Sequence, residues 1–414
     1  MLSMDIFIPK KTIFSIVFNA VALLFLVYIT VARGIYNKKF IFVYLYIIFL
    51  VLLVIIQSSD YLYSFANLVK YIMGLMCLPI GFNILSSTSK YKEFQKTGIS
   101  CLMIYVINIF LANIFDWRNS DGLYSVDGLR FGNLFGDSMY ENAYLVASLF
   151  LLLTFFSKYK KGIILLLVAC SILVIINMKR TTIAVLIIGL VAYLILYFKD
   201  NTLKKQLSLI HLKYLKYFLI MFIISIPFSY SYMKVNYDAR QKQFAKARED
   251  ITNEGRVAEF LVISNDIFCS NKISLFLFGK ETFNLVGTYG NGSFGGRQIH
   301  NDYSKLINGT GVIGLFFWIL IFCRLITWMQ YLRKTNSCDK GKIGAILYPL
   351  YFSFIIIYCI SMTSGVMDAV LSSSFFYASL GGMLRYFYNR NLWYREMLRV
   401  EKENANQKKL TCFL

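Results

Sequence analysis

The sequence predicts an all-α, polytopic membrane protein with about 11–12 transmembrane helices and one large extracytoplasmic loop carrying amphipathic helices. Three observations predict it. Of 414 residues, 57% are hydrophobic and only 16% are charged, with a mean hydropathy of +0.58, a balance foreign to soluble domains. The apolar residues gather in runs near the roughly 20 residues a helix needs to cross the hydrocarbon core. Lys and Arg collect in alternate connections between those runs, as positive-inside topology requires. Lipid offers the backbone no hydrogen bonds, so each run satisfies its own N–H and C=O groups as a helix.

The spans lie at 12–32, 40–57, 65–85, 98–115, 140–157, 162–178, 181–198, 214–232, 308–332, 345–363 and 366–384. Lys90, Lys92 and Lys96 mark one connection as cytoplasmic, and Lys158, Lys160 and Lys161 mark another. Lys199, Lys204, Lys205 and Lys213 mark a third, and Arg333, Lys334, Lys340 and Lys342 a fourth. The connection 58–64 carries no Lys or Arg and suits the far side. Alternation then puts 116–139, the turn at Lys179 and Arg180, and 233–307 outside as well. Counting back places the N-terminus outside, against the preference of Lys10 and Lys11. The chain divides into N-terminal transmembrane helices (1–232), a large outer loop (233–307), C-terminal transmembrane helices (308–384) and a basic cytoplasmic tail (385–414).

The net charge of +21 would suggest nucleic acid in a soluble protein. Here topology accounts for it, and the remaining implication is an attraction for anionic headgroups or lipid diphosphates. The eight cysteines show no CxxC spacing, which predicts neither a disulfide framework nor a zinc site. The first apolar run is longer than a usual signal h-region and lacks a small-residue cleavage site.

Within the outer loop, 238–250 reads as a surface helix. Residues 256–269 put Val257, Phe260, Leu261, Ser264 and Phe268 on one helical face, which predicts a helix lying on the membrane surface. The run 273–278 is too short to span, and 287–296 is a glycine-rich loop. Its GxGxxG match, Gly290 to Gly295, follows no strand and opens no helix, so a dinucleotide site is not read from it.

The chemistry-bearing stretch is Arg297-Gln298-Ile299-His300-Asn301-Asp302-Tyr303, which ends the outer loop and runs straight into an apolar helix. His300 is one of two histidines in the chain, His211 being the other. A neutral imidazole there serves as a proton acceptor near neutral pH, or it merely anchors or caps the following helix. Arg130, Arg180 and Arg256 fall on the same outer side, where positive-inside topology disfavours cations in short connections. Arg180, in the tight turn Lys179-Arg180-Thr181-Thr182, calls for an anionic partner, and a diphosphate suits a planar guanidinium. Lys70, near a span's outer end, reads as a snorkelling side chain. Asp368 lies near the outer end of the last span, facing either a cavity or the water boundary. Asp116, Asp121 and Asp127 lack metal-loop spacing.

Gln298-Ile299-His300-Asn301-Asp302-Tyr303, followed by Leu306, Gly311 and Gly314 in an apolar helix, resembles the signature of the O-antigen polymerase and O-antigen ligase superfamily. Two more likenesses stand in the same order: the turn at Arg180, and Glu254-Gly255-Arg256 with Leu277-Phe278-Gly279-Lys280 downstream. The likeness covers residues 125–330. It implies an enzyme of the bacterial inner membrane, acting at the periplasmic face on undecaprenyl-diphosphate-linked glycans as donor and acceptor. The implied reaction is an inverting, metal-independent glycosyl transfer without cofactor. In it His300 is the catalytic base, Arg180, Arg256 and Arg130 bind the substrate diphosphates, and Asn301, Asp302 and Tyr303 support the site. A polymerase joins repeat units, a ligase passes polymer to lipid A–core, and a capsule or exopolysaccharide polymerase uses the same constellation. A flippase and a chain-length regulator of the same pathway are the implied protein partners; nucleic acid is not. A lipid-linked oligosaccharide transporter is the reading from a different class, for which broken, charged helices at the midplane are the mark.

Overall fold

The computed structural model describes residues 38–114, 255–283, 299–335, 342–365 and 370–411, with single helical positions between 17 and 32 and between 184 and 234. Among the described residues the protein is all-helical, and three helices are long and apolar enough to cross a membrane: Lys38–Gln57, Tyr61–Ile84 and Asp302–Leu332. The expected spans 140–157 and 162–178 lie outside the described residues, and those at 12–32, 181–198 and 214–232 do so in large part.

Helix α1, Ile41–Gln57, follows a short 3-10 turn at Lys38–Phe40. Its Ile- and Val-rich sequence has modest helix propensity in water; in lipid, internal backbone bonding decides the matter. A three-residue turn leads to α2, Tyr61–Ile84, where the Asp60 side chain caps the helix by accepting from the Tyr63 N–H at 3.0 Å. Helix α3, Thr88–Ile114, starts ten residues before the span expected at 98–115, because Lys90, Lys92, Glu93 and Lys96 extend it as a polar helical lead-in. Within the segment 233–307 lie α4, Gly255–Phe268, and the six-residue α5, Ile273–Phe278. Helix α6 is Asp302–Thr335, α7 is Lys342–Ser361 with a 3-10 turn at Met362–Ser364, and α8 is Val370–Thr411. The basic tail is thus helical to Thr411, and Arg399 pairs there with Glu396 at 2.7 Å and Glu403 at 3.5 Å, one turn away on either side.

Helices α2 and α8 make the most extensive contact among the described residues. Lipid tails are as apolar as Leu, so close backbone approach, not hydrophobic burial, holds such a pair together. The approach is tight enough to demand small residues: a Cβ on Gly81 would fall 2.2 Å from the Ala378 carbonyl oxygen, and one on Gly381 would fall 2.1 Å from that of Leu78. An aromatic column fills the space between α1, α2, α6, α7 and α8. Phe354, Phe376 and Tyr358 stack face to face, Tyr377 meets Tyr358 and Trp318 edge-on, and Trp318 touches Tyr46 and Tyr71.

Helix α6 is broken at Gly311, whose φ of 62° and ψ of −163° interrupt the ladder. The carbonyls just before the break lose the N–H groups one turn ahead, and at membrane depth water cannot replace them. Residues 279–282 do so instead. The Lys280 N–H donates to the Asn308 carbonyl at 2.7 Å, and the Thr282 hydroxyl donates to the Gly309 carbonyl at 2.7 Å. The fit is reciprocal: a Cβ on Gly311 would lie 2.5 Å from Leu277 backbone, and one on Gly279 (φ 77°) would lie 2.6 Å from the Asn308 carbonyl oxygen. The same segment is bolted to the turn between α1 and α2. Glu281 Oε1 accepts from the Ser59 N–H at 2.7 Å and hydroxyl at 2.6 Å, Gln57 donates to the Phe278 carbonyl, and Asn67 donates to that of Phe283.

These contacts sort the chain into two ends. The turn 58–60 and the segment 278–283 meet at one. Lys39, whose ammonium lies over the Trp328 and Tyr388 rings, and the Asn389 side chain, which donates to the Ser86 carbonyl, mark the other.

Replacing Gly311 by Ala forces a Cβ both into a left-handed conformation and against Leu277. A loss of roughly 1–3 kcal/mol is expected, read as a lower unfolding midpoint of the detergent-purified protein, with Gly311→Val lower still.

Candidate functional site

The stretch 299–303 sits where α4, α6 and the end of α7 converge. Ile299 is buried and packs with Ile263 and Ile267 of α4 and Ile307 of α6. That small cluster sets the position of the next residue. The His300 N–H donates to Glu259 Oε1 at 2.7 Å, and His300 Nδ1 lies 3.7 Å from Glu259 Oε2. The second distance exceeds a hydrogen bond and stays within ion-pair reach. The Glu259 side chain is 1% exposed and that of His300 34%. From behind, Gly365 abuts the His300 carbonyl so closely that a Cβ there would lie 2.8 Å from the oxygen.

Helix α4 owes its placement to two different faces. Glu259, Ile263 and Ile267, spaced four residues apart, form the buried stripe. Phe260, Leu261 and Phe268 are exposed, between 43% and 47%, and they belong to the face assigned to the membrane surface from periodicity. Phe268 also meets Phe276 of α5 edge-to-face. Lys280 Nζ reaches Asp266 Oδ2 at 3.0 Å and ties α4 to the segment that plugs the α6 break.

The residues after His300 divide the structural labour. Asn301 is the cap of α6: its side-chain oxygen accepts from the Tyr303 N–H at 2.9 Å, and its carbonyl accepts from the Lys305 N–H at 2.9 Å. The capping task that the sequence left open to His300 therefore falls to its neighbour. Asp302 is fully buried, in the helix's first turn where a negative charge is favoured, and its Oδ1 is 3.8 Å from Lys305 Nζ. Tyr303 donates its hydroxyl to the Cys359 carbonyl at 3.0 Å, lashing α6 to α7.

Arg256 lies in the first turn of α4, three residues from Glu259, so one helix carries both; its side chain lies outside the described residues. Arg130 and Arg180 lie outside the described residues altogether, as does Asp368. The structure thus brings together His300, Asn301, Asp302 and Tyr303 with the backbone of Arg256. It adds Glu259, which sequence reasoning missed. The signal existed in outline: Glu259 is an acidic residue four before Ile263 and eight before Ile267, on a stripe of the helix that is otherwise apolar.

Chemically, a half-exposed imidazole with a buried carboxylate behind it can accept a proton on one ring nitrogen while the other is held. The described residues contain no group of three or more His, Cys, Asp or Glu side chains able to hold a metal ion.

Removing the Tyr303 hydroxyl by Tyr303→Phe deletes one α6–α7 tether without opening a cavity. A loss of about 1 kcal/mol is expected, measured by unfolding in detergent, with His300→Ala nearly silent in the same assay.

Compared with known proteins, the sequence matches no family model and no curated protein.

Proposed function

We propose that the protein is a surface-polysaccharide polymerase, a glycosyltransferase that joins undecaprenyl-diphosphate-linked repeat units at the outer face of a bacterial inner membrane. The observation that carries this reading is the half-exposed His300 backed by buried Glu259, at the junction of the outer-loop helix α4 and the broken helix α6. The order of the Arg180, Gly255-Arg256 and His300 motifs in the sequence supports it.

In the proposed reaction the acceptor sugar hydroxyl gives its proton to His300 as its oxygen bonds to the donor's anomeric carbon. The bond from that carbon to the diphosphate breaks on the opposite face, and the lipid diphosphate leaves with the electron pair. Arg180 and Arg256 hold the diphosphate and stabilise the charge that grows on it; Arg130 takes the second lipid diphosphate. The leaving group is already activated, so no nucleotide is consumed. Positioned general-base catalysis contributes about 10²–10⁴-fold.

The decisive experiment incubates purified protein with lipid-linked repeat units and resolves the glycan lengths. His300→Ala is expected to lose long product by about 10²–10⁴-fold while still inserting in the membrane. Arg180→Lys is expected to fall about 10²–10³-fold, because a point charge does not replace a bidentate fork. Normal ladders from either variant would remove the assignment. In cells, loss of chain lengthening with single repeats still attached to core identifies a polymerase, whereas polymer stranded on the carrier identifies a ligase.

The break at Gly311 favours one other reading, a carrier of lipid-linked oligosaccharide, since transporters use discontinuous helices. The break falls only nine residues after the start of α6 at Asp302, beside the outer-loop segment. Passage of unmodified lipid across liposomes, without lengthened glycan, would favour the carrier.

A further inference from the structure

One carboxylate makes two contacts with one residue, a hydrogen bond and a longer approach at ion-pair distance. Glu259 Oε1 holds the main-chain N–H of His300, and Oε2 faces Nδ1 of the same residue's ring. The first contact fixes where the ring's Cα stands. The second decides which nitrogen the ring presents. A carboxylate beside Nδ1 repels a lone pair there and attracts an N–H, which favours the Nδ1–H tautomer of the neutral ring, with Nε2 as its basic atom.

We propose that Glu259 is the positioning residue of His300, setting both its orientation and its tautomer so that Nε2 is the nitrogen that takes a proton. Its burial on the inner stripe of α4 makes the contact rigid, because Ile263 and Ile267 lock the same face against Ile299 and Ile307. Asn301 meanwhile caps α6 and spares His300 that task. The role of this pair in glycosyl transfer rests on the function proposed above; the tautomer does not.

The chain has only two histidines, which makes the test direct. In a His211→Gln background, ring-¹⁵N-histidine NMR of the full protein in nanodiscs reads His300 alone. Under conditions where the ring is neutral, the expected spectrum shows a protonated Nδ1 and an unprotonated Nε2. In Glu259→Gln the amide oxygen can still accept the His300 N–H, but an NH₂ group then faces Nδ1, and the ring is expected to switch to Nε2–H. Glu259→Asp keeps the charge and is expected to retain part of the wild-type tautomer. An Nε2–H ring in the parent protein, or an unchanged ratio in Glu259→Gln, would overturn the proposal.

Activity assays separate the two ideas. Glu259→Gln is expected to lower kcat about 10–100-fold with KM within a factor of about two. An active His300→Ala protein whose parent shows the Nδ1–H spectrum leaves the pair standing and removes the polymerase reading. An inactive His300→Ala protein alongside a Glu259→Gln protein with unaltered tautomer and kcat does the reverse.

Discussion

The constraint on which the rest of this structure depends is the unmet hydrogen bonding at the break in α6. A helix interrupted near lipid leaves carbonyls that nothing in the bilayer can satisfy, and here the Lys280 N–H and the Thr282 hydroxyl supply the missing donors. Because those donors come from the segment that precedes α6, that segment's end is built into the helical core. Glu281 and Gln57 then carry the same segment across to the turn between α1 and α2. The two mutually enclosed glycines, Gly279 and Gly311, leave no room for a side chain on either partner.

Seating the loop in this way fixes the site. With Lys280 bound to Asp266 and Ile299 packed on Ile263 and Ile267, helix α4 is held against the start of α6 along its buried stripe. Glu259 lies on that stripe, and a buried carboxylate persists only where its charge and lone pairs are answered. The His300 N–H answers in part, which is why the imidazole stands where it does. The opposite face of α4 keeps Phe260, Leu261 and Phe268 exposed. One helix therefore joins a lipid-compatible surface to a polar site through its two faces.

Legibility in the sequence tracks the range of the interaction involved. Amphipathic spacing over 256–269 is local, and it yields both the helix and its outward apolar face. The buried position of Glu259 depends on Ile299 and Ile307, thirty or more residues away, and no periodicity within α4 distinguishes an inward carboxylate that meets a histidine from one that meets solvent. Asn301 caps α6, because the first free N–H groups of that helix fall within its reach. Tyr303, likewise, reaches a carbonyl on α7 that only the folded chain brings near.

What the sequence determined by itself is the all-helical, lipid-adapted character of the chain, since hydropathy and the backbone's need for internal bonding act over single segments. It also singled out His300 and its motif as the candidate stretch for chemistry. Tertiary structure alone decided that α6 breaks at Gly311, that residues 279–282 mend the break, and that Glu259 lies behind the imidazole. Each of those is a bond between distant segments, made because a buried polar group must find a partner wherever the packed fold offers one.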